Sequence, residues 1–183
     1  SLHPDSAVKR KSDGGIWKDR KGLTFVDPGA EEYWEYMVEL SKVSYTIGFD
    51  EINSDYIRYP SDGNMTDIAF PRSGTSSKRE VMRKFHTYIG DEMRKAGIKS
   101  SADLFGMTTT NTDDLNIGQI IEHALLAYDY VAPMVYPSHY PATFNGWKNP
   151  NDVPGPVVEF AMKSAVSRAN ALEKEVAVER GEY

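Results

Sequence analysis

The sequence predicts an α/β protein built on a parallel sheet, and three observations carry that expectation. Four segments place apolar residues at helical spacing, and three short extended segments lie between them. The order is helix, strand, helix, strand, helix, strand, helix. The connections are asymmetric: long polar loops follow the strands, and only a few residues separate each helix from the next strand. Alternation of this kind favours parallel pairing through right-handed crossovers. Long loops at the carboxyl ends of strands mark the functional face, either the active-site face of a (β/α)8 barrel or the ligand crevice of a doubly wound sheet.

Taken in order, residues 1–22 read as a polar loop segment with Trp17 as anchor and Lys9-Arg10-Lys11 as a solvated cluster. Leu23-Thr24-Phe25-Val26 is a short extended piece stopped by Asp27-Pro28-Gly29, with Asp27 a candidate cap. Tyr33, Trp34, Met37, Leu40 and Val43 predict a helix over 30–46, favoured by Glu31 and Glu32 in its first turn and ended by Gly48. A strand is expected over 49–57, ended by Pro60. A long polar loop covers 61–76. Val81, Phe85, Tyr88, Ile89 and Met93 predict a helix over 78–96. Ile98–Phe105 is the second strand, 117–127 the third helix, and 130–136 the third strand. A Pro- and Gly-rich loop with Trp147 leads to a helix over 156–175, and residues 173–183 form a charged tail.

Composition excludes several function classes. A chain that is 40% hydrophobic and 11% aromatic is globular rather than disordered. A net charge of −6 argues against nucleic-acid binding, which needs a basic patch. No apolar run is long enough to span a membrane. The absence of Cys rules out disulfides and thiolate chemistry. The four His are scattered, so no metal site is expected. No glycine-rich phosphate loop follows any strand, so no cofactor is expected. The first residue is Ser and no signal-peptide pattern follows, which fits a processed product or a fragment.

The chemistry concentrates in Gly48-Phe49-Asp50-Glu51-Ile52-Asn53-Ser54-Asp55-Tyr56-Ile57-Arg58-Tyr59-Pro60. As a strand, it puts Glu51, Asn53, Asp55 and Ile57 on one face and Ile52, Ser54 and Tyr56 on the other. Carboxylates are costly to bury unless paired or wet, so the polar row predicts a face that lines a cavity. In the second strand Asp103 shares a face with Ser101, opposite Ala102 and Leu104. Asp55 and Asp103 thus form a candidate carboxylate pair of the kind that hydrolyses a glycosidic bond, the alternative being strand-end turns or caps. Arg58 is placed to hold Asp55 or a substrate carboxylate. Glu51, deeper in the strand, reads as a structural polar group with Asn53. Tyr136, His139, Tyr140 and Trp147 follow the third strand and are candidates for binding a sugar, against plain packing. His86 and His123 read as packing or surface groups within helices.

The 48–60 stretch resembles the GFDEI-x-x-DY-[IV]-R-[FY]-P strand of the putative glycosyl hydrolase domain family of bacterial proteins. Trp17-Lys18-Asp19 with Val26-Asp27-Pro28, Ser101-Ala102-Asp103-Leu104-Phe105-Gly106, Pro133-Met134-Val135-Tyr136-Pro137-Ser138-His139-Tyr140 and the helix start at Pro154 match in the same order. The resemblance covers about residues 14–172. It implies a TIM barrel related to glycoside hydrolases, acting on polysaccharide in the bacterial envelope or outside the cell. Carried over, the site falls on Asp55, Arg58, Asp103, Tyr136 and His139.

Two departures follow. Ser54 stands where the family carries a large apolar residue, predicting underpacking on the order of 1–3 kcal/mol. A complete barrel needs eight strands and about 250 residues, so residues 23–172 correspond to a partial (β/α)8 barrel, about strands four to six with their helices. Its open edges predict self-association or incomplete folding. A non-catalytic carbohydrate-binding barrel and an inactive truncated product are the alternatives to a hydrolase.

Overall fold

The structure, a computed structural model, describes residues 3–180. In chain order its elements are β1 (Lys9–Arg10), α1 (Glu31–Thr46), β2 (Glu51–Ser54), β3 (Ile68–Ala69), α2 (Lys78–Lys95), β4 (Lys99–Phe105), α3 (Ile121–Ala127), β5 (Tyr130–Met134) and α4 (Pro154–Glu179). One sheet runs β2-β4-β5 with both pairs parallel. The α/β class and the parallel pairing expected from the alternation are both present.

α2 shows why the elements form where they do. Ser77 accepts the Glu80 backbone N–H and caps the helix. Val81, Phe85, Ile89 and Met93 recur at spacings of four and are all buried. Arg94 and Lys95 oppose the dipole in the last turn, and Gly97 takes a positive φ of 68° to end it. This apolar stripe meets Ala102 and Leu104 of β4, with Trp34 and Val38 of α1 and Ile121 and Ala124 of α3 closing the core. Each large side chain buried there contributes roughly 1.5–3 kcal/mol.

Several boundaries differ from expectation. The 49–57 strand is only Glu51–Ser54, because Tyr56 adopts φ +55° and turns the chain out of the sheet. The turn inverts the alternation beyond it: Ile57 is 6% exposed and joins the core, whereas Tyr56 is 66% exposed. Residues 1–22 are not simply a loop. β1 pairs antiparallel with β3, Ala7 bridges Val26, and Val8, Trp17 and Ile68 form a small second core. The 61–76 loop is thereby pinned to the N-terminal segment. The third helix starts at Ile121 rather than 117, since Leu115, Asn116 and Gly118 all take positive φ and prevent an earlier turn. α4 begins with Pro154 at its first position and runs to Glu179, so most of the charged tail is helical; residues 181–183 lie outside the described residues.

One local expectation is also corrected. Asp27 does not cap α1 with its side chain; that helix has no side-chain cap. It is fully buried and accepts from Gly29 N–H, Arg72 N–H, Ser73 N–H and the Ser73 hydroxyl, fastening the 61–76 loop. Ser54 is buried at the end of β2. The Tyr128 hydroxyl, also buried, lies 3.2 Å from His86 Nδ1.

Candidate active site

The register of the parallel strands arranges one face of the sheet in layers. Paired residues share a face, so Glu51 lies beside Lys99, Asn53 beside Ser101 and Tyr130, and Asp103 beside Ala132. The polar row expected of this face is present, and its side chains are bonded to one another. The Ser101 hydroxyl donates to Glu51 Oε1 at 2.5 Å. Asn53 Nδ2 donates to Ser101 Oγ at 3.0 Å and to Asp103 Oδ1 at 3.1 Å. Glu51 is exposed at the edge of this face and bonds the Ser101 hydroxyl.

At the exit of β2 the turn at Tyr56 is held by Asp55, whose Oδ1 accepts the Tyr56 N–H at 2.6 Å. Arg58 does not pair with Asp55. Its guanidinium donates to the Tyr59 carbonyl and the Ser61 hydroxyl, both at 3.1 Å, and lies 5.1 Å from the Tyr56 ring centroid. The left-handed turn points the two side chains along different paths. Asp55, Tyr56 and Arg58 line the mouth of a cleft of about 510 Å³ whose floor includes Phe25, Trp34 and Phe85. Near the start of α1, hydrogen bonds from Ser6 and Arg72 lower the Glu32 carboxyl to about 2.

Above β4 and β5 three rings stand together. His139 stacks on Phe105 with centroids 5.7 Å apart, and Tyr136 meets His139 edge-on at 5.1 Å. Tyr136 and His139 are both exposed. Tyr140 and Trp147 are not with them. Tyr140 is 5% exposed and packs with Val157 and Ala161 of α4, and Trp147 contacts Phe144 and Phe160. Both lie against the apolar side of α4, apart from the Tyr136–His139 pair.

Sequence reasoning missed Gln119, a buried side chain that accepts the Phe105 N–H at 2.9 Å and donates to the Ile57 carbonyl at 3.2 Å. It ties the exits of β2 and β4 together. It sits in an irregular segment, where no periodicity marks it. Phe105 and Tyr130 were also missed as members of the site face, because their place depends on pairing register. Among the described residues no group of three or more His, Cys, Asp or Glu converges as a metal site, and no helix is long and apolar enough to cross a membrane.

The model of a family described as "Putative glycosyl hydrolase domain" matches residues 1–178. A solved structure, described as a hypothetical protein from Ruminiclostridium thermocellum, is similar at 32% identity with a TM-score of 0.48. The match covers 63% of this chain and 52% of that one, so the chain spans about half the length of the solved relative. No curated protein matches.

Proposed function

The chain belongs to the family described as "Putative glycosyl hydrolase domain", and from that membership we propose that it is part of a (β/α)8 barrel that hydrolyses O-glycosidic bonds of a polysaccharide. β2, β4 and β5 would be about the fourth to sixth staves. This reading is supported by three parallel strands alternating with helices, and by outer strands that each leave one edge unpaired among the described residues. Tyr36, Leu40 and Val43 of α1 and Ile47 just after it are exposed, as expected of a helix that normally packs against a further barrel unit or another copy. The substrate would belong to the bacterial envelope or its surroundings.

The observation that carries the proposal is the open polar sheet face of Glu51, Asn53, Ser101 and Asp103, with Asp103 bonded to Asn53 and the exposed Tyr136–His139 pair beyond the end of β5. β2 ends at Ser54, opposite Ala102 of β4, so Asp55 leaves the sheet at the level where Asp103 continues it. Glycoside hydrolysis uses two carboxyl groups about 5–9.5 Å apart, one to protonate the leaving oxygen and one to attack the sugar or activate water. Tyr136, His139 and Arg58 would bind the sugar. A non-catalytic carbohydrate-binding barrel is the second reading, favoured by the engagement of Asp55 with the Tyr56 N–H.

The test is hydrolysis of 4-nitrophenyl glycosides and of bacterial cell-wall polysaccharide by the wild type, Asp55→Asn and Asp103→Asn. Removing an acid–base carboxylate is expected to lower kcat by about 10²–10⁴-fold. Wild-type rates in both variants reject the assignment. Saturable oligosaccharide binding without hydrolysis supports the second reading.

A further inference from the structure

We propose that Asn53 is a positioning residue for Asp103, locked in one orientation through Ser101 by Glu51. The inference rests on the assignment of Asp103 to the site. The directions of the hydrogen bonds follow from the chemistry of the partners. An ionised Glu51 can only accept, so the one hydroxyl proton of Ser101 is committed to it at 2.5 Å. Ser101 Oγ must then accept from Asn53, which requires the amide nitrogen, Nδ2, at that 3.0 Å contact. The second proton on Nδ2 reaches Asp103 Oδ1 at 3.1 Å. Flipping the amide would set its oxygen against both a carboxylate oxygen and a hydroxyl with no proton left to give. Glu51, two layers below Asp103, therefore fixes which way the Asn53 amide faces.

For Asp103 the consequence is orientation. Oδ1 is tied to Asn53, while Oδ2 carries no hydrogen bond from the described residues. Ala132, the small exposed residue paired with Asp103 on β5, leaves space beside the carboxylate. Displacing a reacting group by about 1 Å can cost about 100-fold in rate. The arrangement also gives the exposed Glu51 and the buried Ser101 a role at a distance from the substrate.

The test is a double-mutant cycle on the full chain with Asn53→Ala, Ser101→Ala and the pair, assayed on 4-nitrophenyl glycosides beside Asp103→Asn. Asn53→Ala is expected to lower kcat by about 10- to 100-fold with KM changed less than about twofold. The melting temperature should stay as in the wild type, because Asn53 is exposed. Ser101→Ala should lower kcat less, and should add nothing in the Asn53→Ala background, since the lock acts only through Asn53. Unchanged kcat in Asn53→Ala, or independent additive losses, overturns the inference while a dead Asp103→Asn leaves the site assignment standing. Wild-type hydrolysis by Asp103→Asn, or no hydrolysis by the wild type, overturns that assignment and this inference with it.

Discussion

His86 makes the stability of this fold sensitive to mild acid. Its side chain is fully buried on α2, with Nδ1 3.2 Å from the Tyr128 hydroxyl and Nε2 without a partner among the described residues. Burial is the main cause that drives its pKa down from 6.5 to about 3, and the half-buried His123 adds to the shift. The unfolded chain therefore binds a proton between pH 6.5 and 3 that the folded chain refuses. Stability from this group is fully present above pH 6.5 and is lost as pH falls below it. Between pH 7 and pH 5 the loss from His86 works out at about 2 kcal/mol, a large part of the 5–15 kcal/mol typical of a folded domain. Carboxylates contribute little in this window, since those lowered by ion pairs, such as Glu32, titrate below about pH 4.5. The assay is urea unfolding followed by circular dichroism at pH 7, 6 and 5, for the wild type and for His86→Gln. The wild type should lose about 2 kcal/mol more than the variant across the window. Equal pH slopes in the two proteins would refute the reasoning, whatever their absolute stabilities.

Two further substitutions test the packing around the site. Asp27→Asn replaces an acceptor oxygen with an N–H in a pocket already filled by the donors of Gly29, Arg72 and Ser73. It should cost about 1–3 kcal/mol and speed tryptic cleavage at Arg72, and unchanged cleavage would count against Asp27 as the loop's anchor. Gly90→Ala on α2 would drive a methyl group into the Ala127 carbonyl of α3. The expected destabilisation is about 1–3 kcal/mol in urea denaturation, and a neutral result would mean that the two helices can slide apart freely.

The helices and the parallel sheet were legible because they obey strong local rules. α2 carries a cap, a four-residue apolar spacing and a glycine stop, and its observed span differs from the expected 78–96 by one residue. The polar row was legible through the alternation of Glu51, Asn53 and Ser101, Asp103. What failed depended on single backbone conformations or distant partners. Nothing in an extended-looking Asp-Tyr-Ile-Arg run announces a left-handed Tyr56, so Ile57 was placed on the wrong face. The N-terminal segment looked like a loop because its apolar residues, Val8 and Trp17, find their partner Ile68 far along the chain. Tyr140 looked available because loops are exposed on average, but this one folds back over α4.

The turn at Tyr56 joins the site to the core, and this coupling explains why so short a strand is followed by so much fixed structure. A tyrosine held at φ +55° is strained by about 1–3 kcal/mol, and it persists only if the surroundings impose it. They do so on both sides. Asp55 bonds the Tyr56 N–H from within the turn. Beyond it, Ile57 enters the core and its carbonyl is taken by Gln119. The Tyr59 N–H donates to the Ile117 carbonyl, and its buried hydroxyl meets Ser73 Oγ at 2.5 Å, which in turn donates to Asp27. Burial raises the Tyr59 phenol to about 12, so it stays protonated as that chain requires. Asp55 is thus placed at the cleft mouth by the same contacts that lock the 61–76 loop and the N-terminal segment onto the sheet. Changes at Asp27 or Ser73 should therefore disturb Asp55, whereas Asp103, held within β4 and by Asn53, should be left where it is.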